Sequence, residues 1–241
     1  MSRAPTRRSG ELIAWVASVV LGLVAPARAE VGASAALESD DRLRGVSLSD
    51  GNPVLSLNVT YDHASGFYGG VSGTAVATDH SGVEWLGDVV YVGYAHRLDA
   101  ETSWDVGVTN SNVSVYPDTA YRYNYTEVYG GITRNDISAH IYYSPRYIGG
   151  GAATLYAEVN GTWRPARRWR LFAHVGVLSS LGGGGRTYAG HTLFDSRAGV
   201  AREFGRFEIH LAWTTTSAVP YFPPGYRQTR NALILGAVYN F

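Results

Sequence analysis

The chain ends with the stretch Asn231-Ala-Leu-Ile-Leu-Gly-Ala-Val-Tyr-Asn-Phe241. Large apolar side chains recur at every second position, so that Leu233, Leu235, Tyr239 and Phe241 share one face. Alternation with this period is typical of a β-strand, because successive side chains point to opposite faces of a sheet. The chain is therefore predicted to end on a strand whose last residue is aromatic.

The same alternation recurs upstream. It is clearest at residues 54–62, where Leu55, Leu57 and Val59 alternate with polar side chains. Strict alternation predicts strands with one apolar face and one polar face. The predicted strands are 31–46, 54–62, 67–77, 84–97, 102–110, 124–134, 137–144, 153–163, 169–179, 192–202, 206–216 and 231–241.

The connections between these strands alternate in length. The short ones are 63–66, 97–101, 135–136, 164–168 and 203–205, and the longer ones are 48–53, 77–83, 110–123, 145–152, 180–191 and 217–230. Transmembrane barrels have short periplasmic turns and longer extracellular loops. The chain is therefore predicted to be all-β: an antiparallel, up-and-down transmembrane β-barrel of twelve strands. Eight or ten strands are the alternatives, and the composition alone also allows a secreted β-sandwich.

Outer-membrane barrels of Gram-negative bacteria end on such an aromatic strand, which their assembly machinery recognises. Leu235, Tyr239 and Phe241 are therefore the predicted membrane-insertion signal. Other aromatic residues collect beside the short turns, as expected of an interfacial girdle. This girdle comprises Tyr61, Phe67, Trp104, Trp163, Trp169, Phe204, Phe207, Tyr239 and Phe241, and a second one at the loop side comprises Trp85, Tyr143, Phe194 and Trp213.

The N-terminus is predicted to be a cleaved secretory signal peptide. Arg3, Arg7 and Arg8 precede an apolar segment at 12–25, and Ala27 and Ala29 form a small-x-small cleavage site. An apolar segment of that length is too short for a spanning helix. Residues 1–29 are thus the predicted signal peptide and 30–241 the barrel domain, exported through the periplasm to the bacterial outer membrane.

Composition excludes several classes of function. The chain has no cysteine, which excludes disulfides and thiolate metal sites. All 20 basic residues are arginines; without the four arginines and one glutamate of the signal segment, 16 Arg face 19 Asp and Glu. A mildly acidic chain with no basic stripe is not expected to bind nucleic acid.

The polar face of each strand is predicted to line the lumen. These side chains either border a water-filled path or pair with one another and fill the barrel. The three histidines among them lie on different strands without metal-binding spacing, so no metal or cofactor is expected. The predicted lumen residues are Asp88, Glu127, Tyr129, His140, Tyr142, Glu158, Asn160, Arg170, His174, Asp195, Arg197, Glu208 and His210.

Two of the longer loops have an unusual composition. The glycine run at 182–185 lacks the Lys-Ser/Thr of a phosphate-binding loop, which indicates an extracellular loop. The aromatic loop at 219–226 could fold over the barrel mouth or stack on sugar rings. An outer-membrane lipid-modifying enzyme is a further alternative, but no GxSxG motif singles out a nucleophile, so we expect no enzymatic activity and no catalytic residues.

Several motifs resemble a known family. Ser39-Asp-Asp-Arg-Leu-Arg-Gly-Val-Ser-Leu-Ser-Asp-Gly-Asn-Pro53 is similar to the opening of the TorF-type putative porins. His63-Ala-Ser-Gly-Phe-Tyr-Gly-Gly-Val71, Tyr125-Thr-Glu-Val-Tyr-Gly-Gly131 and Tyr142-Tyr-Ser-Pro-Arg-Tyr147 resemble the same family more loosely. The chain departs from it at Asp41 and Leu43, where aromatic residues are expected. The resemblance implies a porin and carries no catalytic residues.

Together these observations predict an outer-membrane porin for passive diffusion of small solutes. The alternative is a closed structural or adhesive barrel that acts through its extracellular loops. The expected partners are outer-membrane lipids, small solutes and, during biogenesis, periplasmic chaperones and the barrel-assembly machinery.

Overall fold

The computed structural model describes residues 30–79, 82–148, 152–182, 192–217 and 229–241. Every regular element in these ranges is a β-strand. The strands are β1 (Glu30–Glu38), β2 (Arg42–Leu43), β3 (Val46–Ser47), β4 (Val54–Asp62), β5 (Phe67–Thr78), β6 (Gly82–Arg97), β7 (Thr102–Val115), β8 (Asp118–Arg134), β9 (Ile137–Ser144), β10 (Thr154–Ala166), β11 (Trp169–Ser180), β12 (Thr192–Phe204), β13 (Phe207–Thr216) and β14 (Asn231–Asn240).

Twelve of these strands close into one antiparallel barrel, in the ring order β1-β14-β13-β12-β11-β10-β9-β8-β7-β6-β5-β4. Closure occurs where β1 pairs with β14, with Ala35 opposite Tyr239. The other side of β1 pairs with β4, with Ala35 opposite Leu57. The predicted twelve-strand barrel is confirmed. No helix in the described part of the chain is long and apolar enough to span a membrane.

The barrel is apolar outside and polar inside. On β4, Leu55, Leu57 and Val59 are 49%, 56% and 46% exposed, whereas Ser56 and Asn58 are buried. This is the reverse of a water-soluble sheet, whose apolar face is buried. A closed sheet leaves no unpaired strand edge, so every strand can satisfy its backbone hydrogen bonds while its apolar face meets lipid.

Aromatic residues decorate both ends of the outer surface. At the short-turn end, Phe207, Tyr239 and Phe241 contact one another, with ring centroids 4.7 and 5.0 Å apart along the series. Tyr61, Phe67, Trp163, Trp169 and Phe204 are exposed at the same end, and Trp85, Tyr143, Phe194 and Trp213 are exposed towards the other. Interfacial aromatic girdles have this arrangement.

The first predicted strand, 31–46, is too long. β1 ends at Glu38, and residues 39–53 turn into the barrel; we call them the inward segment. Within it β2 and β3 form a minimal hairpin whose turn residues Arg44 and Gly45 have φ angles of 51° and 77°. Positive φ at both turn residues is the geometry of a two-residue type I′ turn. The polar alternation that had predicted a longer strand therefore belongs to this small hairpin.

The predicted long connection at 110–123 is also wrong, because β7 continues to Val115 and β8 begins at Asp118. Asparagine side chains join the two strands beyond the predicted boundary. Asn124 Nδ2 donates to the Oδ1 atoms of Asn112 and Asn110, at 2.5 and 3.1 Å. The pairing therefore runs on through residues that suggested a loop by their polarity.

Three of the features predicted from the sequence lie outside the described residues: most of the glycine run at 182–185, the aromatic loop at 219–226, and the signal peptide with its cleavage site at Ala27 and Ala29.

Candidate functional site: the barrel lumen and its inward segment

The thirteen side chains predicted to line the lumen all avoid the exposed outer face. Their role in solute passage stays a prediction. Eight are buried (Glu127, Tyr129, His140, Tyr142, Arg170, His174, Asp195, His210), and five are half-buried (Asp88, Glu158, Asn160, Arg197, Glu208).

One polar cluster joins β5, β7, β8 and β9. The Tyr68 hydroxyl donates to Asp105 Oδ2 at 2.9 Å and lies 2.8 Å from the Tyr129 hydroxyl. His140 Nε2 lies 3.1 Å from the other oxygen of Asp105. Gly93 makes room for Tyr68, because a Cβ atom there would overlap the Tyr68 ring. Asp105 was not predicted as a lumen residue, although it lies on the polar face of its strand.

A second cluster joins β10, β11 and β12. His174 Nε2 lies 2.8 Å from Asp195 Oδ1 and 3.0 Å from the Tyr156 hydroxyl. Its other ring nitrogen lies 2.7 Å from Asn160 Oδ1. Both nitrogens of His174 are thus engaged by an acid, a phenol and an amide.

A third set of contacts joins the two ends of the barrel chain. Glu38 of β1 lies 3.0 Å from His210 Nε2 and 3.4 Å from Arg197 Nη2. Nearby on the ring, Arg170 Nη2 lies 2.6 Å from Glu208 Oε1. Each of the three predicted lumen histidines therefore contacts one carboxylate. The described residues hold no group of three or more His, Cys, Asp or Glu arranged to bind a metal ion.

The inward segment is organised around Asp40. Its Oδ2 accepts from Arg42 Nε at 2.6 Å, while Oδ1 accepts from Ser47 Oγ at 2.5 Å and Ser49 Oγ at 2.9 Å. The backbone N–H of Gly51 donates to the same Oδ1 at 3.2 Å. One buried carboxylate thus satisfies donors from both arms of the small hairpin and from the turn that follows it.

Arg44, at the tip of that hairpin, reaches the far wall of the lumen. Its Nη2 lies 2.9 Å from both carboxylate oxygens of Glu127 on β8. The guanidinium stacks over the Tyr156 ring at 3.9 Å from the centroid and over the Tyr147 ring at 4.9 Å. A charge pair and cation–π contacts therefore hold the tip in place.

Other contacts hold the segment at two sides of the barrel. The backbone N–H of Tyr116 donates to the Leu48 carbonyl at 2.8 Å. On the opposite side, Arg42 Nη2 donates to Thr229 Oγ1 at 2.8 Å. Val46 and Leu48 belong to the buried apolar cluster that includes Val115, so the segment has an apolar side as well.

Electrostatics in the inward segment centre on Asp41 and Arg44. Burial, together with the charges of Glu38 and Asp40, raises the pKa of Asp41 from 3.8 to about 7 against a lowering by Arg197. Burial alone would lower the pKa of Arg44, but the carboxylate of Glu127 raises it well above its ordinary value. Arg44 is thus a fixed cation, whereas Asp41 changes charge near neutral pH.

A cavity of about 160 Å³ lies between the inward segment and the barrel wall. Its lining includes polar side chains from the segment and from strands on every side of the ring, among them Asp41, Asp88, Glu127, Glu158 and Asp195. Two buried polar atoms that face it, Thr109 Oγ1 and Asn58 Nδ2, have no hydrogen-bond partner within the described chain. The lumen is therefore narrowed by the segment but retains polar free space.

The inward segment's residues 39–46 were not predicted as a separate element, because their alternation continues that of β1 and placed them on one strand at 31–46. A signal for the turn was present. Asp50-Gly51 is a dipeptide typical of two-residue type I′ turns, and both residues have positive φ, at 53° and 79°. The dipeptide lies inside the predicted connection at 48–53, so the turn that ends the inward segment was predicted, whereas the start of the segment after Glu38 was missed.

Comparisons with known proteins agree with the fold. A model of the family Gcw_chp, described as a bacterial protein of unknown function, matches residues 24–232. The NanC porin structure has a TM-score of 0.58 at 10% identity, covering 88% of this chain and 100% of that one. A structure from work on in-meso crystallization of membrane proteins has a TM-score of 0.55 at 9% identity, covering 88% and 83%. No curated protein matches the chain. At these identities the likeness concerns the porin-like fold alone, and the TorF-type resemblance stays a prediction.

Proposed function

Because the chain belongs to the Gcw_chp family of bacterial proteins of unknown function, we propose its function from the lumen itself: a bacterial outer-membrane channel for passive diffusion of small solutes. The observation that carries the proposal is a closed barrel with an apolar exterior whose interior retains a charged cavity. An apolar exterior of this kind suits lipid.

The charged lining supports a hydrated interior. Ionic side chains withdrawn from water are costly, and apolar residues of similar volume would fill a closed barrel as well or better. Arg44, Glu158 and Asp195 instead border free space. Barrels of about eight strands are filled by side chains, while those of about sixteen leave a wide channel, so twelve strands suit a narrow one.

The inward segment sets the width of the proposed path. It occupies the lumen and is tied to opposite walls through Arg44–Glu127 and Arg42–Thr229. A passage beside it has room for small hydrated solutes only. Displacement of the segment would widen the passage without breaking the barrel, because no strand of the ring belongs to it.

The same segment favours a second candidate, a closed barrel that acts through its extracellular loops. If the segment never leaves the lumen and the cavity has no exit, its ion pairs serve stability only. The two candidates differ in a single property, which is whether solutes cross.

Liposome swelling distinguishes them. Vesicles containing refolded residues 30–241 are placed in isotonic solutions of uncharged sugars of increasing size. The channel predicts swelling with monosaccharides that declines sharply for oligosaccharides. A variant in which a short Gly-Ser linker replaces residues 40–52 is expected to admit larger sugars. A barrel that migrates as folded on unheated gels yet causes no swelling in either form would favour the closed barrel.

A further inference from the structure

The cavity lining carries more acidic than basic side chains. Five carboxylates border it, from Asp41, Asp88, Glu127, Glu158 and Asp195. Three arginines border it, namely Arg42, Arg44 and Arg197. What a permeating ion experiences depends on which of these charges are already compensated within the protein.

All three arginines are compensated. Arg42 pairs with Asp40 at 2.6 Å, Arg44 with Glu127 at 2.9 Å, and Arg197 with Glu38 at 3.4 Å. At short range a paired charge is largely cancelled by its partner. The charge of each arginine on this cavity is therefore offset by a carboxylate, although Arg44 Nη1 and Arg197 Nε make no hydrogen bond to the described residues.

Three of the carboxylates form no ion pair with a described residue. Among the described residues, no arginine or histidine nitrogen lies within 4 Å of a carboxylate oxygen of Asp41, Asp88 or Glu158. Asp88 accepts from the neutral amide of Asn112 at 2.9 Å. Glu158 accepts from Asn160 Nδ2 at 3.1 Å and from the Tyr142 hydroxyl at 3.3 Å. Neutral donors orient a carboxylate without cancelling its charge.

These three carboxylates surround the cavity. Asp88 lies on β6 and Glu158 on β10, four strands away in the ring, and Asp41 follows the end of β1, five strands beyond β10 and three before β6. Charges placed around a low-dielectric lumen add their fields along its axis. An ion crossing the cavity therefore passes a carboxylate without an ion pair on three parts of the ring.

We propose that this lumen selects small hydrated cations, and that Asp41, Asp88 and Glu158 are the residues that determine the selectivity. The inference rests on the proposed channel function and names its preferred solute class. Rings of acidic side chains confer cation selectivity in channels generally.

Two neutral polar side chains on the same cavity are suited to a hydrated ion. Thr109 and Asn58 are 2% and 6% exposed, and each presents one polar atom that has no partner among the described residues. Buried polar atoms of this kind require a hydrogen-bonding guest. The water shell of a small cation supplies one, whereas an apolar solute does not.

The size of the effect follows from Coulomb's law. A carboxylate about 8 Å from the path changes the K⁺ to Cl⁻ permeability ratio by about sixfold in unscreened water. A Debye length of about 10 Å at 0.1 M salt reduces this to about twofold. Loss of one such carboxylate should therefore lower the ratio by roughly two- to sixfold.

Reversal potentials in planar bilayers test the proposal. Refolded residues 30–241 are held in a threefold KCl gradient near about 0.1 M salt, at a pH above 7 so that Asp41 is ionised. The expected K⁺/Cl⁻ ratio is well above one. Glu158→Gln and Asp88→Asn should each lower it by roughly two- to sixfold. The matched control is Glu101→Gln, because Glu101 lies in a short turn where its side chain is 56% exposed.

The outcomes separate the two proposals. A conducting channel with a ratio at or below one overturns cation selectivity and leaves the channel function standing. A ratio above one that neither variant lowers overturns the assignment to these carboxylates. A barrel that migrates as folded on unheated gels but never conducts overturns the channel function and the inference with it.

Discussion

Replacement of Glu127 by glutamine should loosen the inward segment. The wild-type carboxylate receives Arg44 Nη2 at 2.9 Å on both oxygens, and the two side chains are only 5% and 11% exposed. Glutamine keeps the shape and one acceptor but removes the charge. Arg44 remains a cation, because a guanidinium is not deprotonated in proteins. No other carboxylate lies within 4 Å of it among the described residues.

The magnitude follows from the burial of this pair. Removing one partner of a buried ion pair costs about 3–5 kcal/mol, because the remaining charge stays desolvated. Arg44 also borders the polar cavity and stacks on Tyr156, and both contacts reduce this cost. We therefore expect the free energy that holds the inward segment in the lumen to fall by about 2–3 kcal/mol. That corresponds to a roughly 30- to 140-fold shift towards the displaced segment.

Single-channel recording measures this shift directly. Glu127→Gln should spend a much larger share of time in a wider conductance state than the wild type. The double variant Arg44→Met with Glu127→Gln should return towards wild-type behaviour, because neither charge is left unpaired. Folding of each variant is checked by its heat-dependent gel migration.

A matched control comes from an exposed pair. Arg134 and Glu101 lie 3.7 Å apart with side chains 72% and 56% exposed, so Arg134→Gln should leave the recordings unchanged. Identical traces from wild type and Glu127→Gln would refute the reasoning, as would a double variant that is as disturbed as the single one.

Three further predictions concern other parts of the chain. With the segment in the lumen, Asp41 has a pKa of about 7 against 3.8 ordinarily, so this state holds a proton that the displaced state releases. The stability of the segment in the lumen therefore falls as pH rises from about 4 to about 7, and conductance should rise over the same range except in Asp41→Asn. Gly131→Ala should destabilise the barrel by about 1–3 kcal/mol, measured by urea unfolding, because its Cβ would overlap the His140 ring, whereas Gly161→Ala faces open space and should not. Intact-mass analysis of the exported protein should find Glu30 at its N-terminus; a chain starting at Met1 would contradict the cleavage site.

Local alternation was sufficient to predict the barrel strands. On β4 the period of two separates exposed Leu55 and Leu57 from buried Ser56 and Asn58, and this contrast is visible in the sequence alone. Closure follows from physics, because a sheet whose outer face meets lipid cannot leave an unpaired edge. Strand ends were less predictable, since polar residues such as Asn112 and Asn124 extend a ladder as readily as they form a loop.

The inward segment could not be predicted from the local alternation of side chains. A two-stranded hairpin has the same period as a continuing strand, so residues 42–47 looked like the end of β1. What turns them inward is a set of distant partners: Glu127 is 83 residues from Arg44, and Thr229 is 187 residues from Arg42. No window as short as a strand contains both members of either pair.

The same limit applies to selectivity. The sequence shows inward charges of both signs and no excess that would favour one kind of ion. Only the pairing across strands shows that Arg44 and Arg197 are compensated while Asp88 and Glu158 are not. The net field of the lumen is therefore a property of the folded barrel.

The central claim is that this barrel conducts, and planar-bilayer recording of refolded residues 30–241 tests it most directly. We expect discrete, reproducible current steps of small amplitude, which become larger when a linker replaces residues 40–52. A protein that shows the heat-dependent migration of a folded barrel, yet yields no steps with or without the inward segment, would contradict it.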